Sequence, residues 1–337
     1  MEKTRLNGIL ATIGSTPLVE LRSLGSGRGI SVYAKMEGFN PGGSVKDRTA
    51  ASLLLGKIKN LELDPSRSVV IESSSGNLAI GLAQICRYFG LRFICVVDTK
   101  TPSHNIAVLR AYGAAVEVIS EPDSETGEYL PARLRRVEEL LNTIPHAYWP
   151  NQYANPLNPL AHEETMREIA DELGGRVDYL FSATSTMGTL RGCAAYIRRR
   201  GLGTTTVAVD AEGSVLFRPS VTGKRLIPGY GASVRPALFT PSAADRITHM
   251  TDLDCVVGCR RLAQREAILA GGSSGATVMA LEKLRAEIPD GSICVLIFPD
   301  RGDRYLDTIY SDSWVVKHFG EVSHLWKDSA TAAVDPC

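Results

Sequence analysis

Short apolar runs alternate with stretches in which apolar residues recur at helical spacing, from about residue 31 to residue 298. Continuous apolar runs bounded by turns are typical of strands buried on both faces, and the intervening segments are typical of amphipathic helices. The predicted strands are 31–36, 69–72, 93–97, 116–119, 179–183, 206–209 and 292–298. The predicted helices are 77–89, 105–112, 129–144, 189–199, 255–269 and 276–288.

This alternation of strands and helices predicts parallel, doubly wound sheets and therefore an α/β fold. The chain has 337 residues, which is too long for one small core and suits two such domains. The Asn- and Pro-rich stretch 151–159 is interpreted as a linker. The segment after Gly320 shows no clear element and is interpreted as a loose tail.

Charge and composition argue against several classes of function. The 37 Lys and Arg residues balance the 37 Asp and Glu residues, which gives no electrostatic reason to bind nucleic acid or a membrane surface. No stretch approaches the ~20 apolar residues of a membrane helix, and the N-terminus does not resemble a signal peptide. The seven scattered cysteines are interpreted as reduced, mostly buried thiols. We expect a cytoplasmic protein whose partners are small molecules or another copy of the chain.

The first candidate for chemistry is the turn 40–48, in which Pro41, Gly42 and Gly43 are followed closely by Lys46. A lysine amine held rigidly can bond a carbonyl cofactor, and partial burial would lower its pKa. A solvated surface lysine on an exposed turn is the alternative.

The second candidate is the loop 72–77, which places three serines, a glycine and Asn77 between a strand and a helix. Hydroxyls and free backbone N–H groups at a helix N-terminus can bind a carboxylate. Ordinary serine capping of that helix is the alternative.

Two later loops also lie where a helix begins. Loop 185–189 offers hydroxyls and successive backbone amides that could bind a phosphate, although it lacks the Gly-Lys-Ser/Thr of a Walker loop. A capped helix start is the alternative there. Loop 271–276 contains serines, one of which could meet a ring nitrogen. The six histidines form no cluster, so hydrolase and metalloenzyme interpretations have little support.

Taken in order, these four loops resemble those of the cysteine synthase and cystathionine β-synthase family, which belongs to fold type II of the pyridoxal-phosphate enzymes. The likeness extends from the Gly-Ser-Thr-Pro-Leu motif at 14–18 to the motif at 300–306. The resemblance implies a smaller domain formed by 37–155, a larger cofactor-holding domain formed by 1–36 and 156–320, a tail at 321–337, and a homodimer.

The resemblance also implies roles for individual residues. Lys46 corresponds to the catalytic lysine that bonds pyridoxal 5'-phosphate, and Asn77 to the residue that contacts the cofactor's phenolic oxygen. The substrate carboxylate would be bound by Ser74, Ser75, Gly76, Asn77 and Gln152. The cofactor phosphate would be bound by Ser185, Thr186, Met187, Gly188 and Thr189. Ser273 would face the pyridine nitrogen, where a neutral hydroxyl suits β-replacement chemistry.

The chain departs from the cysteine synthase pattern at a few positions. Ser185 and Met187 stand where that pattern has glycine, and Leu78 stands where it has threonine. With the stretches 151–155 and 299–307, these residues resemble the branch that joins O-phospho-L-serine to L-glutamate. That branch makes a precursor of 2,3-diaminopropionate for siderophores and peptide antibiotics.

That interpretation requires cations and hydroxyls for two charged substrates. For the phosphate of the donor, the candidates are Arg218, Lys224 and Arg225. For the glutamate acceptor they are Arg133, Tyr153 and Ser185, with Arg136 expected on the same helix face as Arg133. Two alternatives remain open. One is cysteine synthesis from O-acetylserine or O-phosphoserine with sulfide; the other is a catalytically silent regulatory protein, against which Lys46 and Asn77 argue.

Overall fold

The computed structural model describes residues 8–25, 29–220, 223 and 225–327. The α-helices are α1 (Arg22–Gly25), α2 (Lys46–Lys59), α3 (Asn77–Phe89), α4 (Ser103–Ala111), α5 (Tyr129–Thr143), α6 (Leu157–Glu172), α7 (Gly188–Arg200), α8 (Asp252–Arg265), α9 (Gly272–Leu284) and α10 (Asp312–Phe319). The strands are β1 (Leu18–Glu20), β2 (Ser31–Met36), β3 (Val69–Ser73), β4 (Arg92–Asp98), β5 (Ala115–Ile119), β6 (Ala147–Tyr148), β7 (Tyr179–Ala183), β8 (Thr205–Ala211), β9 (Arg246–Met250) and β10 (Ile293–Phe298).

Within these ranges the strands form two sheets. The six-stranded sheet has the order β1-β2-β10-β7-β8-β9, and the four-stranded sheet has the order β5-β4-β3-β6. β1 is antiparallel to β2, and the other pairs are parallel. The predicted α/β fold with mainly parallel sheets is confirmed. The strands of the smaller sheet fall within the predicted domain 37–155 and the others fall outside it; the domain boundaries stay a prediction.

Burial on both faces explains the continuous apolar runs. Along β3, Val69 and Ile71 pack in one core cluster with Val137 of α5. Val70 points to the opposite face and packs with Leu82 of α3. Because helices cover both faces of the sheet, alternate positions of the strand are equally apolar. The carboxyl end of this strand leads directly into the serine-rich loop.

A buried group of charges holds the start of α2. The Arg48 guanidinium is paired with Glu37 (Nε–Oε2 2.7 Å) and with Glu168 of α6 (Nη1–Oε1 2.7 Å). Lys35 of β2 reaches the same Glu168 carboxylate, with Nζ–Oε2 at 2.9 Å. Buried charges persist only when they are paired, so these contacts fix the helical turn that begins at Lys46.

The predicted linker ends earlier than expected. Helix α6 begins at Leu157, and the Asn155 side chain accepts a hydrogen bond from the Leu157 backbone N–H at 3.0 Å. Asn followed by Pro is therefore a helix start here, since Asn caps and Pro fits the first turn. The elements absent from the sequence-based prediction are α1, α2, α6, α10, β1, β6 and β9.

The prediction of a loose tail is wrong for residues 321–327. Trp326 is buried in the main core cluster. Arg261 of α8 donates from Nη2 to the Leu325 carbonyl at 2.8 Å. The single large side chain of Trp326 therefore anchors this segment to the core of the larger sheet. One isolated apolar residue forms no periodic pattern, so no pattern in the sequence predicts this contact. Residues 328–337 lie outside the described residues.

The cysteine interpretation is confirmed where the structure describes it. The free, buried thiols are those of Cys86, Cys95, Cys193, Cys255, Cys259 and Cys294. Cys337 lies outside the described ranges. Among the residues the structure describes, no helix has both the length and the apolar character needed to cross a bilayer.

Candidate active site

The predicted loops gather at one edge of the molecule, at the carboxyl ends of the parallel strands. This edge is where ligands bind in open α/β sheets. A cavity there is lined by Lys46, Thr184, Ser185, Met187, Thr189 and Gly229. The structure therefore brings the candidate lysine and the candidate phosphate loop together.

Lys46 is the first residue of α2, and the turn before it is mostly buried, which argues against the alternative of a solvated lysine on an exposed turn. Gly43 has φ +85°, and a Cβ on Gly42 would lie 2.5 Å from Asp47 Oδ1, so both positions require glycine. Burial lowers the pKa of the Lys46 amine, while the Asp300 carboxylate opposes that change. A lowered pKa increases the share of neutral amine, the form that bonds a carbonyl or accepts a proton.

The serine-rich loop lies between β3 and α3. Ser74 is buried, while Ser75, Gly76 and Asn77 are partly exposed. No side chain caps α3, so simple serine capping does not explain this loop. A Cβ on Gly76 would meet nothing within 4 Å, so there is open space beside this residue at the start of α3, where helix N–H groups lack intrahelical partners. A carboxylate fits that position.

The buried Glu72 connects this loop to the predicted substrate contact Gln152. Its Oε1 accepts hydrogen bonds from the Ser73 N–H at 2.8 Å and from Trp149 Nε1 at 3.0 Å. Burial raises the pKa of Glu72 to about 7, opposed by hydrogen bonds from Trp149 and from the backbone N–H groups of Ser73, Gln152 and Asn151. Sequence reasoning missed this role, although an acidic residue inside an apolar strand was a signal.

The candidate phosphate loop is fixed by contacts to α6. Thr186 Oγ1 accepts hydrogen bonds from Asn158 Nδ2 at 3.1 Å and from the Gly188 N–H at 3.4 Å. A Cβ on Gly188 would overlap the Asn158 side-chain amide, so only glycine fits there. Met187 adopts a left-handed backbone, with φ 70°.

The hydroxyl-bearing residues of this loop are available to a ligand. Ser185 and Thr189 line the cavity and are partly exposed. Met187, the residue before α7, makes no side-chain cap, and the Gly188 N–H donates to Thr186 Oγ1, which leaves the N–H groups of Thr189 and Leu190 for an anion. One hydroxyl of this loop therefore contributes to the helix start, as the capping alternative expected, while Ser185 and Thr189 face the cavity.

Ser273 lies buried in the first turn of α9. Its neighbour Ser274 is also buried, and among the described residues the Ser274 Oγ has no hydrogen-bond partner. Neither serine is among the residues that line the cavity beside Lys46, so the contact of Ser273 with a ring nitrogen stays a prediction.

The candidate acceptor residues differ from the expectation in one respect. Arg133 shares the buried face of α5 with Val137, whereas Arg136 pairs at the surface with Glu117 (Nε–Oε2 2.8 Å). The prediction that Arg133 and Arg136 share one face of the helix is therefore wrong. Arg133 Nε lies 3.4 Å from Asp98 Oδ2.

The Arg133 guanidinium is nevertheless incompletely satisfied. Its Nε and Nη1 atoms are buried without a hydrogen bond inside the described part of the chain. Tyr153 is half-buried; burial raises the pKa of its hydroxyl, and the neighbouring Arg133 charge opposes that change. Burial also raises the pKa of Cys95, to about 12, and the Arg133 charge opposes this too. Since the Cys95 thiol donates to the Ser74 carbonyl at 3.2 Å, Arg133 and Tyr153 lie near the serine-rich loop.

Of the candidate donor cations that the structure describes, neither Arg218 nor Arg225 lines the cavity beside Lys46. Arg225 donates from Nη1 to the Tyr230 carbonyl at 3.0 Å and from Nη2 to Ser233 Oγ at 2.8 Å. Arg218 is exposed, and Lys224 lies outside the described residues. Of the three, Arg225 is already engaged within the protein.

The residues present fit pyridoxal phosphate. Lys46 suits its aldehyde, and the loop from Ser185 to Thr189, which lines the same cavity, suits its phosphate. Within the described ranges no group of three or more His, Cys, Asp or Glu residues is placed to hold a metal ion.

Sequence comparison agrees with this assignment. The family described as pyridoxal-phosphate dependent enzyme matches residues 9–300, so the chain belongs to that family and pyridoxal phosphate is its cofactor. The chain is 46% identical to N-(2-amino-2-carboxyethyl)-L-glutamate synthase of Ralstonia nicotianae over 310 residues, which cover 92% of this chain and 91% of that protein.

Solved structures confirm the resemblance to cysteine synthases and cystathionine β-synthases. The O-acetylserine-dependent cystathionine β-synthase of Helicobacter pylori has 31% identity and a TM-score of 0.83, covering 92% of this chain and 100% of that chain. The cysteine synthase of Entamoeba histolytica has 32% identity and a TM-score of 0.84, covering 92% of each chain.

Proposed function

We propose that this enzyme joins O-phospho-L-serine to L-glutamate, giving N-(2-amino-2-carboxyethyl)-L-glutamate and phosphate. The observation that carries the proposal is the Arg133 guanidinium, buried near Tyr153 and Asp98 with two nitrogens that make no hydrogen bond among the described residues. Glutamate brings two carboxylates to such a group, whereas sulfide brings none. The relative of that name, 46% identical to this chain, gives independent support.

In the donor half of the reaction, bound pyridoxal phosphate stabilises negative charge at the donor's α-carbon. The Lys46 amine removes the α-proton as a general base. The free N–H groups around Gly76 and the side chain of Gln152 hold the α-carboxylate. The bond between the β-carbon and the phosphate oxygen breaks, and phosphate leaves with the electron pair.

In the acceptor half, the glutamate nitrogen forms a bond to the same β-carbon and loses a proton. Lys46 returns a proton to the α-carbon. Arg133 binds a glutamate carboxylate, while the hydroxyls of Tyr153 and Ser185 orient the amine. Holding both partners in one geometry accounts for much of the rate gain in such bond-forming steps.

Mass spectrometry of the products tests this proposal. The purified enzyme is incubated with O-phosphoserine and either glutamate or sulfide, and then with O-acetylserine and the same two acceptors. We expect the glutamate adduct from O-phosphoserine as the main product. Cysteine as the main product under matched conditions would establish the cysteine synthase alternative instead, which the likeness to cysteine synthase structures favours.

The donor preference is a separate part of the proposal. Arg218 is exposed in the segment that follows β8, so it could pair with a phosphate dianion. Stopped-flow absorbance of the bound cofactor gives the rate of the donor half at equal donor concentrations. Faster reaction with O-acetylserine than with O-phosphoserine would overturn the donor assignment.

We further propose that the enzyme acts as a cytoplasmic homodimer in a route to 2,3-diaminopropionate for a siderophore or peptide antibiotic. Family resemblance supports the dimer, and the balanced charge supports a partner of the same sequence. Light scattering of the purified protein gives the oligomeric state, and a monomeric mass would contradict the proposal.

A further inference from the structure

The side-chain amide of Asn77 has both of its ends engaged by one distant segment. Its Nδ2 donates to Asp300 Oδ2 at 2.8 Å, and its Oδ1 accepts a hydrogen bond from Arg304. Asp300 and Arg304 follow strand β10, 223 and 227 residues further along the chain. These contacts define which end of the amide is the donor and which is the acceptor.

The two partners are themselves fixed. Tyr305 Oη donates to Asp300 Oδ2 at 2.7 Å, and Asp300 is only 4% exposed. Arg304 donates from Nη2 to the Gly42 carbonyl at 2.5 Å, which connects it to the turn that carries Lys46. This segment therefore joins the first residue of α3 to the turn that precedes α2.

We propose that Asp300 and Arg304 are positioning residues that hold Asn77 with its remaining N–H directed at an oxygen of the cofactor. An amide nitrogen carries two hydrogens, and Asp300 uses one of them. The positively charged Arg304 guanidinium donates to the Asn77 amide oxygen. This contact polarises the amide and strengthens its remaining N–H as a donor. A strong donor favours the ionised form of the oxygen that it contacts.

This role is distinct from a simple charge effect on the lysine. The Asp300 carboxylate also favours the protonated form of Lys46. If that were its function, removing the charge would matter and the hydrogen-bond acceptor would not. The inference concerns cofactor alignment alone, so it holds whichever acceptor the enzyme uses.

Three variants separate the possibilities. Asp300→Ala removes the acceptor and the charge, whereas Asp300→Asn removes the charge and keeps an acceptor oxygen. Asp303→Asn makes the same chemical change at an exposed position of the same loop. Each protein is freed of cofactor, and its dissociation constant for pyridoxal phosphate is measured by titration. The absorbance spectrum of each reloaded protein is then recorded against pH.

We expect pyridoxal phosphate to bind Asp300→Ala about 10-fold or more weakly, as for the loss of one hydrogen bond to a charged group. The midpoint of the spectral pH titration should also shift. Asp300→Asn should bind the cofactor within about 3-fold of the parent, and Asp303→Asn should be unchanged. Parental affinity and spectrum in Asp300→Ala would overturn the proposal. Equal losses in Asp300→Ala and Asp300→Asn would also overturn it, in favour of charge alone.

Circular dichroism of the cofactor-free proteins checks that each variant folds. If Asp300→Ala does not fold, Arg304→Gln tests the other end of the amide without changing the buried carboxylate. It should weaken cofactor binding and shift the spectral midpoint. An unchanged dissociation constant and midpoint in a folded Arg304→Gln protein would refute the inference.

Discussion

The cofactor side and the proposed acceptor side of the site differ in how their main contact residues are held. On the cofactor side, Asn77 is held by Asp300 and Arg304, and Thr186 is held by Asn158. On the acceptor side, Arg133 has two buried nitrogens without a hydrogen bond inside the described ranges. The first region is organised before its ligand arrives, whereas the second is completed by its ligand.

This difference separates affinity from selectivity. A site whose side chains are already fixed loses little conformational entropy on binding, which suits a cofactor that stays through many cycles. A site with unpaired buried polar groups rejects ligands that cannot satisfy them, which suits discrimination between acceptors. Variants on the two sides should therefore fail in different half-reactions.

The largest effect is expected for Lys46→Ala on the cofactor side. Loss of the amine should reduce turnover by roughly four orders of magnitude or more and remove the absorbance band of the covalently held cofactor. Lys57→Ala is the matched control, because it changes a lysine near the other end of the same helix. Retention of the parental absorbance band by a folded Lys46→Ala protein would disprove the assignment.

The buried Glu72, which lies next to the serine-rich loop, should make the free energy of unfolding depend on pH. Its folded pKa of about 7 exceeds the ordinary value of 4.5, so folded Glu72 retains its proton over that interval while the unfolded chain does not. Its contribution is therefore full below pH 4.5 and is lost as pH rises through 7, a decrease of up to about 3 kcal/mol in the free energy of unfolding. Urea unfolding of the parent and Glu72→Gln between pH 5 and 8 measures the difference.

Glu62→Gln is the control for that experiment, because Glu62 is exposed. Asp47, whose pKa burial also raises to about 7, is present in both proteins and cancels in the comparison. Parallel pH profiles for the parent and Glu72→Gln would show that Glu72 does not titrate in this interval.

Arg133→Ala should slow only the acceptor half. Loss of one charged hydrogen bond to glutamate costs about 1.5–3 kcal/mol, or roughly one to two decades in catalytic efficiency. Stopped-flow absorbance should show a near-normal donor half and a slower reaction after glutamate is added. Arg136→Ala provides a control on the same helix. Parental rates in both halves for Arg133→Ala would place the acceptor site elsewhere.

Tyr153→Phe should give the smallest effect, since it removes one neutral hydrogen bond worth about 0.5–1.5 kcal/mol, or roughly 2- to 10-fold in the acceptor half. Tyr148→Phe serves for comparison, because the Tyr148 hydroxyl donates to the Leu53 carbonyl at 3.3 Å instead. A slower donor half in Tyr153→Phe would assign this residue to the first substrate.

Sequence patterns predicted what depends on local periodicity. The buried strands β3, β7 and β10 were predicted from continuous apolar runs, and the loops that follow β3 and β7 were singled out from their composition. Strand β9 was missed because Arg246–Met250 mixes polar and apolar residues and pairs only with β8 at the edge of the sheet. A strand at the edge of a sheet is covered by fewer neighbouring elements, so its residues do not have to form a continuous apolar run.

Long-range contacts were beyond the reach of the pattern. The approach of Asp300 to Asn77 joins residues 223 positions apart, and no spacing rule connects them. The burial of Arg133 could not be predicted either, because a charged residue on an amphipathic helix is normally expected on the solvent-exposed face. Lys46 could be singled out as a candidate because its glycine-containing turn is a local pattern, whereas the burial of that turn depends on long-range contacts.

The buried charges next to Lys46 have a consequence for ionic strength. Salt screens exposed charges over about 10 Å at 0.1 M but affects buried pairs much less. The surface pair of Arg167 with Glu164 should weaken as salt rises, while the contacts of Arg48, only 5% exposed, should persist. The lysine should thus keep its orientation in dilute and concentrated electrolyte alike. A change in turnover with salt would then reflect how charged substrates reach the acceptor side.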